Sequence, residues 1–186
     1  MQQVLQEPLI HWAMRSFLAA LFATAALSKL TGMEEFHGVV RNFRLLPDMA
    51  SRAVAMVLPV AELAVAAGLM IPALAAPAAL AAAALLAVFG LAIAVNVLRG
   101  RTQIDCGCFR NGMKQRISWA MVARNAVLTA MALGAAALLP AARPGGTADL
   151  ATGMLAGSVL FLLYFSASML GGLPARHPST ASVKGR

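Results

Sequence analysis

Both cysteines of the chain, Cys106 and Cys108, stand one residue apart in the stretch Ile104-Asp105-Cys106-Gly107-Cys108-Phe109, inside the longest polar interruption of a hydrophobic sequence. Side chains at i and i+2 of an extended strand point to opposite faces, so a disulfide between them requires a sharp backbone turn. Gly107 makes that turn accessible. A bond closed across so small a ring is expected to be strained, and strained, exposed disulfides are the more oxidising and exchangeable kind. The chemistry these residues could do is therefore thiol-disulfide exchange. One cysteine, as thiolate, attacks a partner's disulfide, or the Cys106–Cys108 disulfide accepts a partner's thiolate; the second cysteine then resolves the mixed disulfide. Arg101, Arg110, Lys114 and Arg116 lie within a few positions. Such cations favour the thiolate, and Asp105 moderates their effect.

Two other readings use the same residues. The thiols could be inert, or they could provide half of a tetrahedral zinc shell. There is no further cysteine, and His37 and His177 are the only histidines expected on that side of the membrane, so no metal site is expected unless a partner chain completes it.

The elements that must position the pair are membrane helices. Of the 186 residues 60% are hydrophobic and 12% charged, and the mean hydropathy is +0.77, far too apolar for a soluble domain of this size. The net charge of +8 could suggest nucleic acid. The basic residues gather instead in the connections between apolar runs, where they orient a protein in a bilayer. The fold class expected is all-α, a polytopic helical bundle in one membrane domain over 1–170. Spans are expected at about 9–30, 49–71, 74–98, 117–140 and 150–170, each long enough for a hydrocarbon core of roughly 30 Å. Residues 171–186 read as a disordered tail. The first eight residues hold neither Lys nor Arg, so the charged start of a signal peptide is missing and the first helix is expected to be retained. Between the first two spans, Phe36, Val39, Val40 and Phe43 recur at helical spacing among charged residues, which predicts an amphipathic interfacial helix. Ala83, Ala87, Gly90 and Ala94 form a small-residue stripe that lets a neighbouring helix approach closely. Arg143-Pro144-Gly145-Gly146 is a turn signal before the last span.

Ionisable groups within the spans point to a polar site. Such groups cost a few kcal/mol at mid-bilayer and usually face a partner or a cavity. Glu62 could pair with Arg124 or with Lys29, which lies with Asn96 near the same end of their helices; Ser118, Asn125 and Thr129 share a face of the fourth span. Lys29, Glu62, Asn96, Arg124 and Asn125 are thus the candidate intramembrane pocket beneath the cysteine loop, with a packing ion pair as the plainer alternative. Arg15 and Lys29, near helix ends, are expected to snorkel to the interface. His11 and His37 are expected to be interfacial. With five spans, one side of the membrane receives Lys29, Arg41, Arg44, Arg52, Arg99, Arg101, Arg110, Lys114, Arg116, Arg176, Lys184 and Arg186, against Arg143 opposite. The positive-inside rule makes the cysteine side cytoplasmic, where thiols are kept reduced; the alternative is that the basic residues tune the thiols and do not set the orientation.

Asp105-Cys106-Gly107-Cys108-Phe109, followed by Ile117 and Arg124-Asn125, resembles the MauE family of methylamine-utilisation membrane proteins. Ala26-Leu27-Ser28-Lys29-Leu30, Leu45-Leu46-Pro47 and Pro59-Val60-Ala61-Glu62-Leu63 are similar to the opening of MauE and related DoxX-like proteins, and the resemblance covers about residues 10–170. Where the family continues the motif with glycine, this chain has Arg110, a cation beside the thiols. The resemblance implies a four-helix core with a fifth C-terminal span in the bacterial inner membrane. It also implies a role in maturing methylamine dehydrogenase, a periplasmic enzyme whose small subunit is dense in disulfides. Its implied partners are that subunit and a periplasmic thioredoxin-like protein; its implied redox loop is Cys106 and Cys108 supported by Asp105, Gly107, Phe109 and Arg110. A quinone among the spans enters only by fold-level analogy with other four-helix thiol oxidases. No quinone motif is visible. The rival classes are a non-catalytic assembly scaffold, in which the cysteines are structural, and a small-solute transporter using Glu62 and Arg124. The absence of a repeat argues against the transporter.

Overall fold

Pro8 supplies a preset φ and lacks an N–H that the first turn could not use, and from it the apolar run folds as helix α1, Pro8–Leu30. The structure, a computed structural model, describes residues 7–104, 116–141 and 145–171. After α1 come α2, Met33–Asn42, and α3, Asp48–Met70. A 3-10 turn at Pro72–Leu74 leads straight into α4, Ala75–Leu98. Helix α5, Trp119–Leu138, and a second 3-10 turn, Leu139–Ala141, precede α6, Thr147–Gly171. Five of the six are long and apolar enough to cross a membrane, and no β-strand occurs among the described residues.

Helices α1, α3, α4 and α5 build the core. Leu18 and Phe22 of α1, Val65 and Leu69 of α3, Ala79, Ala82 and Leu86 of α4, and Leu128 and Ala132 of α5 meet in one buried cluster. Alanine on α4 lets α5 come close: a Cβ added at Gly90 would stand 3.2 Å from the Cβ of Asn125. The stripe read from the sequence thus faces α5, with Ala83 and Gly90 buried and Ala87 and Ala94 half-buried. Pro59 lies inside α3 and is fully buried; the helix continues through it although Ala55 loses its in-helix donor.

Helix α6 stands outside this core and packs against α1. Its N-terminus is closed by a hydrogen bond from the Gly146 amide to Asp149 Oδ2, 2.8 Å, the reach-back of an acidic residue in the first turn. Gly153 and Gly157 press on α1: a Cβ at Gly153 would fall 2.5 Å from the Cβ of Trp12, and one at Gly157 would collide with Ser16 Oγ and the Ala13 carbonyl. Farther along, Phe17 and Tyr164 meet edge to face at 5.7 Å.

The interfacial helix is α2. Phe36 is its buried residue, Glu34 and Glu35 fill its first turn and Arg41 its last, the order the helix dipole favours. Arg44, at φ 48°, turns the chain toward α3.

Candidate functional site

Arg15 and Lys29 do not snorkel. Each is only about 5% exposed, and each is held inside the bundle, Lys29 by the Glu62 pairing that the sequence offered and Arg15 by a bond that the sequence does not announce. Arg15 stacks on Trp12, 3.9 Å from the ring centroid, and its Nε donates to the Leu69 carbonyl at 2.6 Å. It thereby caps the last turn of α3, where carbonyls lack in-helix donors. His11, one turn earlier on α1, is buried within the protein.

Lys29 is the partner of Glu62. Its Nζ donates to Oε1 at 2.7 Å and to Oε2 at 2.9 Å, and stands 3.4 Å from the carbonyl of Ala25. The last contact, four residues back on α1, shows why the charge is not at the interface: the side chain runs along its helix into the bundle. Glu62 is 1% exposed. It sits eight residues before the end of α3, about 12 Å from that end at 1.5 Å per residue. Phe36 of α2 and Phe89 of α4 stand over the ammonium, with centroids at 5.4 and 5.6 Å. The pair therefore joins α1 to α3 beneath aromatic rings from α2 and α4, and leaves neither charge facing lipid unpaired.

A second cluster forms at the end of α4. Gly100, at φ +71°, ends the helix in a left-handed turn. The amide of Arg101 bonds back to the carbonyl of Asn96 at 3.0 Å and that of Gly100 to Val97, also 3.0 Å, the paired closure of a Schellman motif. The Arg101 side chain then spans to α2. Nη1 donates to Asn96 Oδ1 at 3.1 Å and to the Phe43 carbonyl at 3.2 Å, and Nη2 donates to the Asn42 carbonyl at 2.8 Å. Asn96 is fully buried, and its own Nδ2 donates to Ala92.

Three residues beyond Arg101, the Ile104 carbonyl accepts the amide of Ile117 at 3.1 Å. This bond pinches together the two stems of the segment that carries both cysteines. Ile117 is buried beneath it with Ile93 and Met121, and Phe43, Val97 and Ile104 pack around them. The described residues at the two stems thus form an apolar cluster beside Asn96 and Arg101, where the sequence reading placed a polar pocket.

The pocket residues accordingly separate. Lys29 joins Glu62, and Asn96 joins Arg101. Asn125 is buried at the contact of α5 with Gly90, its Nδ2 donating to the Met121 carbonyl at 2.9 Å, while Thr129 donates to its backbone carbonyl. Arg124 is half-buried beside it. Asp105, Cys106, Gly107, Cys108, Phe109 and Arg110 lie outside the described residues, as does His177, on which the zinc alternative drew. Arg101 as a clamp is what sequence reasoning missed. The signal was present: Asn96 at the third position from the helix end, glycine at 100 and arginine at 101 spell a helix stop whose side chain is free to reach outward.

Five membrane-length apolar helices, a buried intramembrane ion pair and a pinched polar loop at one end define a multi-pass helical membrane protein. The chain belongs to the MauE family: the family model described as methylamine utilisation protein MauE matches residues 7–140, which take in α1 to α5. It is 99% identical to methylamine utilization protein MauE of Paracoccus versutus and 62% identical to that of Paracoccus denitrificans, in both cases over 100% of each chain. To the protein of that name from Methylorubrum extorquens it is 53% identical over 98% of each. No solved structure matches.

Proposed function

We propose that the chain serves methylamine utilisation as an inner-membrane carrier of one exchangeable dithiol, Cys106 and Cys108, in the maturation of methylamine dehydrogenase. The observation that carries this reading is the neck. The Ile104–Ile117 bond, over a buried apolar cluster and beside the Arg101 bonds, joins the two stems between which Cys106 and Cys108 lie in the sequence. Two thiols separated by one glycine favour the intramolecular resolution of a mixed disulfide.

The orientation follows from charge. Lys29 is committed to Glu62 and Arg101 to carbonyls, yet ten basic residues still stand on the cysteine side against Arg143 opposite. That bias supports a cytoplasmic loop. There the pair draws electrons from cytoplasmic thiols and acts as an electron source for maturation, not as the direct oxidant of an exported subunit. By family resemblance the disulfide-rich small subunit and its thioredoxin-like helper are the proteins whose maturation is served, and a cytoplasmic pair reaches them only through a further carrier that takes its electrons across the membrane. Glu62 is saturated by Lys29, which favours a packing role for that pair over a transport site.

Replacement of Cys106 or Cys108 by serine tests the reading. The expected result is loss of mature small subunit and of dehydrogenase activity at unchanged membrane levels of the variant. Normal maturation in both variants would reduce the chain to a scaffold.

A further inference from the structure

The corner where α2 gives way to α3 exposes cations and large apolar side chains together. Arg41, Arg44 and Arg52 are exposed, and so are Leu45, Leu46 and Met49, the last of them 90%. Between positions 41 and 52 the one acidic residue is Asp48. Arg41 Nε stands 4.0 Å from its Oδ1, with the two side chains 64% and 88% exposed, so the pair holds only weakly. Arg52 follows Asp48 by four residues and lies one turn along the same face of α3. Arg44, at φ 48°, holds a further cation at a backbone conformation that favours glycine. Glu34 and Glu35 stand at the other end of α2, about 10 Å from Arg41 along the helix. The corner thus keeps two positive charges after Asp48 is counted. Met49, Met56, Val60 and Leu63 form an exposed apolar stripe on membrane-spanning α3, and Arg52 falls on that stripe about 6 Å from the start of the helix. A cation there sits at the depth where a bilayer turns from acyl chain to headgroup.

We infer that this corner binds an anionic phospholipid, with Arg41, Arg44 and Arg52 around the headgroup phosphate and Leu45, Leu46 and Met49 against the acyl chains. A guanidinium matches a phosphate with two parallel N–H bonds, and three arginines about one carboxylate leave charge for a ligand that is itself negative. A zwitterionic lipid brings an ammonium that these arginines repel. A free phosphate would meet the arginines but leave the three apolar side chains uncovered, so the occupant that fits both halves of the surface is a lipid. The inference is independent of the cysteine pair and of which leaflet the corner faces.

The experiment titrates the full-length protein, in detergent, with phosphatidylglycerol or with phosphatidylcholine of the same acyl chains, and reads the association constant of the first bound lipid by native mass spectrometry. The parent is expected to favour phosphatidylglycerol by roughly 25-fold, from two uncompensated charges at about fivefold each. Arg41→Gln, Arg44→Gly and Arg52→Gln each lower that preference by roughly fivefold, the scale of one basic residue at an anionic membrane surface. Arg44→Gly also suits the local backbone, so it decides the matter if another variant fails to fold. Arg99→Gln removes an exposed arginine at the end of α4, outside the corner, and is expected to leave the preference unchanged. Added inorganic phosphate is expected to leave phosphatidylglycerol bound. Equal binding of the two lipids by the parent overturns the inference. A preference that falls as far in Arg99→Gln as in the corner variants also overturns it, in favour of diffuse surface charge. Displacement of the lipid by inorganic phosphate overturns it in favour of a soluble anion.

Discussion

At the residue scale the fold is organised by three buried or half-buried cations, each given a different occupation. Arg15 caps α3, Arg101 caps α2, and Lys29 neutralises Glu62. The ion pair carries the sharpest prediction. Glu62→Ala leaves the Lys29 ammonium buried between two aromatic rings without a counter-charge, and breaking a buried pair from one side costs about 3–5 kcal/mol. Thermal unfolding of the purified protein is expected to show that loss, and the double variant Lys29→Met/Glu62→Leu to recover most of it, since an apolar pair of similar volume fits the same space. A double variant no more stable than Glu62→Ala would mean that the charges do more than pack α1 against α3. The sequence made Glu62 stand out and put Lys29 at the right end of its helix, but it could not choose between Lys29 and Arg124. That choice depends on which way a long side chain runs, and Lys29 runs inward, past Ala25. The occupations of Arg15 and Arg101 were less legible still. Their acceptors, apart from the Asn96 side chain, are backbone carbonyls, which every residue carries and no residue type marks.

At the element scale, four helices share one core and the last is an attachment. Helix α6 meets α1 through Gly153 and Gly157, spaced one helical turn apart so that two backbones approach closely, an arrangement common between membrane helices. Leucine at 157 has nowhere to go against Ser16 and the Ala13 carbonyl, so Gly157→Leu is expected to release α6 while the core persists. A photoreactive phenylalanine derivative at Tyr164, opposite Phe17, reports this directly: it should crosslink to α1 in the parent and not in Gly157→Leu. Gly134→Leu on α5, where an added Cβ meets nothing within 4 Å, is the control and should leave the crosslink in place. Persistence of the crosslink in Gly157→Leu would show that the glycines do not hold α6. The spacing was readable in the sequence, yet the alanine-rich third span drew the small-residue argument first. What did transfer from sequence to structure was whatever hydropathy and helical period control: five long apolar helices, and a short amphipathic α2 with Phe36 turned inward.

At the scale of the whole molecule, the bundle has two unlike ends. One carries the Arg15 cap and the short α3–α4 turn at Pro72–Leu74; the other carries α2, the Arg101 clamp, the neck and the basic residues. The ends are told apart by charge, and charge is legible without a structure. The neck was not, because it is made by Ile104 and Ile117, thirteen positions apart and apolar, whose pairing is a backbone bond. On the proposed function the cysteine pair stands at the end that the charge bias assigns to the cytoplasm, and that side decides what the pair can act on. The most direct test labels Cys106 and Cys108 with a membrane-impermeant thiol reagent in intact cells, after a permeant reductant, beside a lysed control. Protection in intact cells with full labelling after lysis is the predicted result. Labelling from outside would contradict the account: the loop would then be periplasmic, and direct action on the exported dehydrogenase subunit would replace a cytoplasmic electron source.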